Sequence, residues 1–178
     1  MSVSRRTKCF RLMVAATVAA TGWVGVSVEA HADPTSDQAT TPTMIILDAS
    51  GSMKNDDAPG PRIDAAKDAV RELVSGLPAG AQVGLMVYGT GTGSAKADKA
   101  AGCKDVKTFV PVGPIDKTSF LATVDGIEAS GYTPIGAVLR EAANQLPQEG
   151  PRSIVLVSDG QDTCSPPPPC EVAKEIAA

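Results

Sequence analysis

The sequence predicts an α/β fold, namely a Rossmann-like open sheet, mostly parallel, that is flanked by helices on both faces. Two observations lead to this prediction. Short apolar runs alternate along the chain with segments of helical periodicity. Three of the runs are apolar almost throughout, which is typical of strands that helices cover on both sides. Three of the four expected strands should therefore be parallel.

The strands are expected at residues 43–47, 82–88, 106–112 and 153–157. The first, second and fourth are continuous apolar runs and should be buried. The third contains Pro111, which cannot donate to a ladder, and it should therefore lie at an edge of the sheet. Residues 89–102 are rich in Gly, Ala and Lys and are expected to form an exposed loop.

Helices are expected at residues 60–76, 116–127, 133–147 and from 171 onward. Gly76 is a candidate C-cap for the first of these helices. Asp116 should cap the second helix, and Thr133-Pro134 should open the third as N-cap and first helical residue. Pro147 should end that third helix, because proline cannot continue a helical ladder.

The N-terminus has the layout of a secretory signal peptide. A basic start precedes an apolar run, and Ala30-His31-Ala32 provides a small-residue cleavage site. We therefore assign residues 1–32 to a signal peptide, 33–42 to a flexible linker and 43–178 to the domain. The apolar run is too short and too interrupted by glycine for a membrane span. These features predict a secreted or extracellular protein, with the cell envelope as an alternative, and no membrane span after cleavage.

Cleavage would change both the charge and the available chemistry. Twelve Lys and Arg would then stand against nineteen Asp and Glu, a formal net charge of −7. A net negative charge does not favour binding to nucleic acid or to an anionic membrane, but it favours binding of cations. The single histidine, His31, would be lost with the leader. A mature domain without histidine excludes Ser-His-Asp triads, Cys-His pairs and histidine-based zinc sites.

Polar side chains cluster just beyond the apolar runs. Asp48, Ser50 and Ser52 follow the first strand, Asp159 follows the fourth, and Thr133 precedes the third helix. Ligands bind beyond the carboxyl ends of strands in open α/β sheets, so these oxygens should converge there, as a hard divalent cation requires. Spacing by two lets an extended or gently curled loop turn the first three toward one point. Taken singly, each has an ordinary interpretation: a loop serine, a helix cap or an Asp-Gly turn.

The pattern Asp48-x-Ser50-x-Ser52, with Thr133 and Asp159 on later loops, resembles the metal-ion-dependent adhesion site of von Willebrand factor A domains. The resemblance covers about residues 42–178. It implies that the three hydroxyls bind the metal directly, while the two aspartates act mostly through water. The metal would be Mg²⁺, with Ca²⁺ or Mn²⁺ as alternatives, and a partner carboxylate would complete its shell. Because the family fold continues further, the resemblance implies that its C-terminal part, after the fourth strand, is missing.

The resemblance therefore implies a secreted, metal-dependent protein-binding module for adhesion or scaffolding, not an enzyme. One alternative is a metal-assisted hydrolase, for which Asp159 and Asp162 are the nearby candidate bases. Another is a domain that the metal only stabilises. We interpret Asp56, Asp57 and Asp162 as solvated loop acids.

Three cysteines would remain after cleavage, namely Cys103, Cys164 and Cys170. Export favours oxidation, and the odd count leaves one unpaired. Straight polyproline between Cys164 and Cys170 would span ~19 Å, whereas a disulfide needs Cα atoms within about 7 Å. A disulfide between Cys103 and either Cys164 or Cys170 is an equally credible pairing.

Overall fold

In the computed structural model, residues 41–177 are described. The predicted signal peptide and most of the predicted linker lie outside this range. The strands are β1 (Thr43–Asp48), β2 (Gln82–Tyr88), β3 (Val106–Pro114) and β4 (Ser153–Val157). The helices are α1 (Arg62–Gly76), α2 (Lys99–Gly102), α3 (Lys117–Asp125), α4 (Ile135–Gln145) and α5 (Pro169–Ala177), with short 3₁₀ turns at Gly51–Lys54 and Lys96–Asp98. None of these helices is long and apolar enough to cross a membrane.

The four strands form one sheet in the order β3-β2-β1-β4. β1 pairs in parallel with both β2 and β4, whereas β3 runs antiparallel beside β2 at the edge. The register between β2 and β3 shifts in the stretch that contains Pro111. The prediction of three parallel strands and an edge position for β3 is therefore confirmed.

Helices cover both faces of this sheet, as predicted. Alternate residues of β1 point to opposite faces. Ile45 and Leu47 pack in a core with residues of α1 and α3, and Met44 and Ile46 pack in a second core with residues of α4. All four side chains are fully buried, and each stabilises the fold by about 1.5–3 kcal/mol. β1 is thus an interior strand that is packed on both faces, and this packing fixes the position of its carboxyl end.

The prediction that β4 is buried is wrong. Its residues are only partly buried, and Leu156 is 36% exposed. Among the described residues β4 pairs with β1 alone. Its outer side borders a groove of about 340 Å³ that α4 and α5 also line. An apolar run cannot reveal whether a strand has a neighbour on one side or on two.

The ends of several elements differ from the expectations. Gly76 is the last residue of α1 and not its C-cap, because the chain turns extended at Leu77. Helix α4 begins at Ile135, so Pro134 precedes the helix. The loop expected at 89–102 is mostly exposed but ends in the short helix α2, where Gly102 lies against the ring of Tyr132.

Candidate metal site

Asp48 is the last residue of β1 and is fully buried. Its Oδ1 accepts a hydrogen bond from the backbone N–H of Ser50 at 2.7 Å. Its Oδ2 accepts one from the hydroxyl of Ser158 at 2.7 Å. A buried carboxylate needs such donors to offset its desolvation. Asp48 therefore anchors the turn that follows β1 and ties it to the end of β4.

Ser50 and Ser52 bring their hydroxyls together, with Oγ atoms 3.1 Å apart. Ser50 is extended, with φ −68° and ψ 167°, and is 1% exposed. Ser52 lies in a 3₁₀ turn, which the N–H of Met53 stabilises by donating to the carbonyl of Ser50. The loop is thus extended at Ser50 and curled at Ser52, and it brings both hydroxyls to one place.

Asp159 joins this pair from the loop after β4. The Ser52 hydroxyl donates to Asp159 Oδ1 at 3.0 Å, and the Arg62 guanidinium binds Oδ2. Arg62 is the first residue of α1 and also pairs with Asp57. The hydrogen bond from Arg62 lowers the pKa of Asp57, and these two aspartates raise the pKa of Arg62. Asp57 is thus an exposed loop acid, as expected, and it is also ion-paired with Arg62.

Thr133 is 5% exposed. Its N–H donates to Thr163 Oγ1 and its carbonyl accepts from the Thr163 N–H, both at 3.0 Å. Among the described residues its hydroxyl has no hydrogen-bond partner. The interpretation of Thr133 as a helix cap is wrong, because Asp162 accepts from the N–H of Gly136 at 3.0 Å and so caps α4. Asp162, which we interpreted as a solvated loop acid, is partly buried and caps this helix.

Backbone hydrogen bonds fasten the loops to one another. The N–H of Gly51 donates to the carbonyl of Gly131 at 2.9 Å, and the N–H of Gly131 donates to the carbonyl of Gly89 at 2.7 Å. Gly89 has a φ of +79°, and a Cβ there would lie 2.9 Å from the carbonyl oxygen of Ala49. Glycine is therefore required at this crossing. The loops enclose a pocket of about 270 Å³ lined by Ser50, Gly51, Ser52, Ser94, Gly131, Tyr132, Thr133 and Thr163.

A disulfide joins Cys103 to Cys164, with 5.3 Å between their Cα atoms. One of the pairings left open by the sequence is thus present, and Cys170 is free and exposed. Cys164 directly follows Thr163, which holds Thr133. The bridge therefore ties the end of the loop after β2 to the segment that positions Thr133.

Three residues at this end of the sheet escaped the sequence analysis as contributors to the site: Tyr88, Ser158 and Arg62. The Tyr88 phenol donates to Ser158 Oγ at 3.2 Å. Burial and the nearby charge of Asp48 raise the pKa of Tyr88, so it stays a protonated donor. The position of Ser158 beside Asp159 was an available signal. Arg62 gave none, because 97 residues separate it from Asp159.

The donor set decides which ligand chemistry this arrangement suits. It contains three hydroxyls and two carboxylates, and residues 41–177 hold no group of three or more His, Cys, Asp or Glu side chains that could bind a metal. Oxygen donors of this kind match hard cations such as Mg²⁺ and not zinc. The residues present therefore fit a magnesium-type ion.

Known proteins share this fold. The chain is 31% identical over 150 residues to the uncharacterized protein YwmC of Bacillus subtilis, covering 82% of this chain and 66% of that protein. A von Willebrand factor type A structure from Catenulispora acidiphila superposes with a TM-score of 0.55 at 22% identity, over 76% of this chain and 30% of its own. The pilus adhesin SpaC of Lactobacillus rhamnosus GG gives 0.52 at 17% identity, over 71% and 16%.

The chain thus spans about two thirds of the length of YwmC and less than a third of each of those two structures. At these identities the structural likeness establishes the fold. The family model of the von Willebrand factor type A domain matches residues 43–161, which is more than half of the 178 residues. The chain therefore belongs to the von Willebrand factor type A domain family.

Proposed function

We propose that this chain is a secreted protein-binding module that holds a divalent cation, Mg²⁺ in the first place, and binds a carboxylate of a partner protein. Ser50, Ser52 and Thr133 would be direct ligands, and Asp48 and Asp159 would act through water. The bound cation would supply a positive charge that attracts the partner's carboxylate.

One observation carries the proposal. Ser50, Ser52 and Asp159 form a continuous chain of contacts at 3.1 and 3.0 Å, although they come from opposite ends of the domain. Thr133 lines the same pocket, and its side-chain hydroxyl makes no hydrogen bond with a described residue. This hydroxyl is therefore available to an incoming ligand.

The export and adhesion parts of the proposal have separate support. A disulfide such as Cys103–Cys164 is typical of proteins outside the reducing cytosol. SpaC, which shares the fold, is a pilus adhesin. A domain that presents neutral hydroxyls to a cation leaves that cation able to attract an acidic side chain across an interface.

The contacts also weigh against the hydrolase alternative. The carboxylate of Asp162 accepts from Gly136 and Cys164 backbone N–H groups, and that of Asp159 accepts from Ser52 and Arg62. Each oxygen of these two candidate bases therefore already accepts from a protein donor, whereas a general base must reach the proton that it takes. Assays with ester, phosphate and peptide substrates in magnesium test this point, and we expect no turnover.

Thr133→Ala tests the proposal, with Thr133→Ser as a control that keeps the hydroxyl. Fluorescence anisotropy would follow a labelled glycine–serine peptide with one central glutamate, in magnesium and in EDTA. We expect magnesium-dependent binding by the wild type and T133S, and its loss in T133A without lower thermal stability in EDTA. Equal binding by T133A would contradict direct ligation. A metal-dependent rise in stability with no peptide binding would favour the purely structural alternative.

A further inference from the structure

Four basic side chains have no partner among residues 41–177: Lys54, Lys96, Lys99 and Lys104, which we call the rim lysines. All four are exposed. Each of the eight other Lys and Arg residues in this range makes an ion pair or donates to a backbone carbonyl. Within this range, these four are therefore the basic side chains that have neither an ion pair nor a hydrogen-bond acceptor.

The rim lysines belong to the segments that border the candidate metal site. Lys54 ends the 3₁₀ turn that contains Ser52. The other three lie in the loop after β2, which the Tyr132 hydroxyl holds by donating to the carbonyl of Ala95 at 3.0 Å. Ser94 of that loop lines the pocket together with Ser50 and Thr133.

The charge of this loop is opposite to that of its surroundings. Residues 89–105, between β2 and β3, carry three Lys and two Asp, a net charge of +1, whereas the rest of residues 41–177 carries nine Lys and Arg against fifteen Asp and Glu, a net charge of −6. Exposed lysines without partners contribute little to folding. Their field, however, attracts anions toward this edge of the domain and increases the rate of encounter.

We propose that the rim lysines recognise an acidic stretch of the partner protein, in which one carboxylate meets the candidate metal site and its acidic neighbours meet the lysines. This inference rests on the proposed function. A short acidic segment fits because three of the rim lysines lie within residues 89–105, whereas the rest of residues 41–177 carries a net charge of −6. A long polyanion such as nucleic acid would extend onto the surrounding negative surface, where like charges repel it.

The test uses the full chain and two labelled peptides, a glycine–serine peptide with one central glutamate and the same peptide with glutamate at every serine. Anisotropy is measured at low and high salt. The test variant is K54Q/K96Q/K99Q/K104Q. The matched control R71Q/R140Q/R152Q/K174Q removes equal charge from positions outside the site. A labelled single-stranded oligonucleotide serves as the competing anion.

We expect the wild type in magnesium to bind the acidic peptide about tenfold more tightly than the single-glutamate peptide at low salt, since several weak exposed pairs add up. High salt should abolish this preference. The test variant should lose it but keep its binding of the single-glutamate peptide, and the control should keep both.

Three results would overturn the inference: equal binding of the two peptides, equal losses in both charge variants, or tighter binding of the oligonucleotide than of the acidic peptide. Failure of the proposed function gives a different pattern. In that case neither peptide responds to EDTA, while any preference for the acidic peptide still depends on the rim lysines.

Discussion

The candidate site has two halves that are built differently. In the buried half, Asp48, Ser50 and Thr133 are 0–5% exposed, and hydrogen bonds to backbone groups hold all three. In the exposed half, Ser52 is exposed, and Asp159 is held by side-chain contacts with Ser52 and Arg62. The buried half is thus part of the core, while the exposed half depends on contacts that water and salt can weaken.

This difference suggests a division of roles. A group that is rigid before a ligand arrives loses little entropy when the ligand binds. The buried half can therefore provide ligand groups that are already in position before the ion binds. The exposed half can adjust when an ion or a partner arrives, because fewer contacts would have to change. Substitutions in the two halves should consequently separate stability from binding.

The largest effect is expected for the disulfide, which braces the segment that holds Thr133 of the buried half. Its two cysteines are 61 residues apart, so the loss of this cross-link in C103S/C164S should lower the free energy of unfolding by about 4 kcal/mol. Urea unfolding under non-reducing conditions measures the change. C170S is the control, and it should unfold like the wild type because Cys170 is free and exposed. A loss below about 1 kcal/mol would contradict this bracing role.

The next largest effect is expected at Asp48 in the buried half. Asp48→Ala removes the acceptor of the Ser50 N–H, which is buried. This loss should lower the free energy of unfolding by about 2–3 kcal/mol. Asp159→Ala should cost less than about 1 kcal/mol, because its partners Ser52 and Arg62 are exposed or partly exposed. Chemical denaturation of both variants in EDTA makes the comparison. The distinction between the halves fails if both variants lose the same stability.

The sequence was sufficient for the parts of the fold that local pattern controls. The apolar runs located β1, β2 and β4, and Pro111 placed β3 at the edge. The candidate donors were found because each directly follows a strand or precedes a helix. The half-exposed state of β4 escaped because it depends on which neighbours a strand has in space.

Long-range contacts account for the other misses. The cap of α4 comes from Asp162, which lies 26 residues beyond Gly136. Thr133 looked like a cap because the local signal could not show that a distant carboxylate already served that role. The pairing of Cys103 with Cys164 was likewise undecided, since three cysteines allow several loops and composition does not choose among them.

A smaller effect is expected at Asp162, which links the two halves. Its carboxylate accepts from Gly136 and Cys164 N–H groups, so Asp162→Ala should cost about 1–2 kcal/mol and weaken magnesium binding by displacing the Thr133 segment. The control is Asp116→Ala, which removes the cap of α3 where Asp116 accepts from Ser119. Stability and calorimetric magnesium affinity are measured for both. Equal affinity in the two variants would show that Asp162 does not position the site.

The smallest effect is expected from pH acting on the exposed half. Arg62 lowers the pKa of Asp57, so their interaction stabilises the fold above the ordinary aspartate range and is lost as pH falls through the lowered pKa. Thermal unfolding of the wild type and D57N across acidic pH should show their difference in midpoint shrinking toward low pH. If the difference grew on acidification instead, the Asp57–Arg62 pair would not stabilise the fold in the way proposed.

Calorimetric titration of magnesium chloride into the metal-free wild type and S50A/S52A decides whether the candidate site binds a cation. We expect saturable binding of one ion per chain by the wild type, because the hydroxyls of Ser50 and Ser52 already meet at 3.1 Å. We expect no such binding by the double variant, whose far-ultraviolet circular dichroism should still match that of the wild type. No saturable binding at millimolar magnesium, or the same binding by both proteins, would contradict a metal site at these serines.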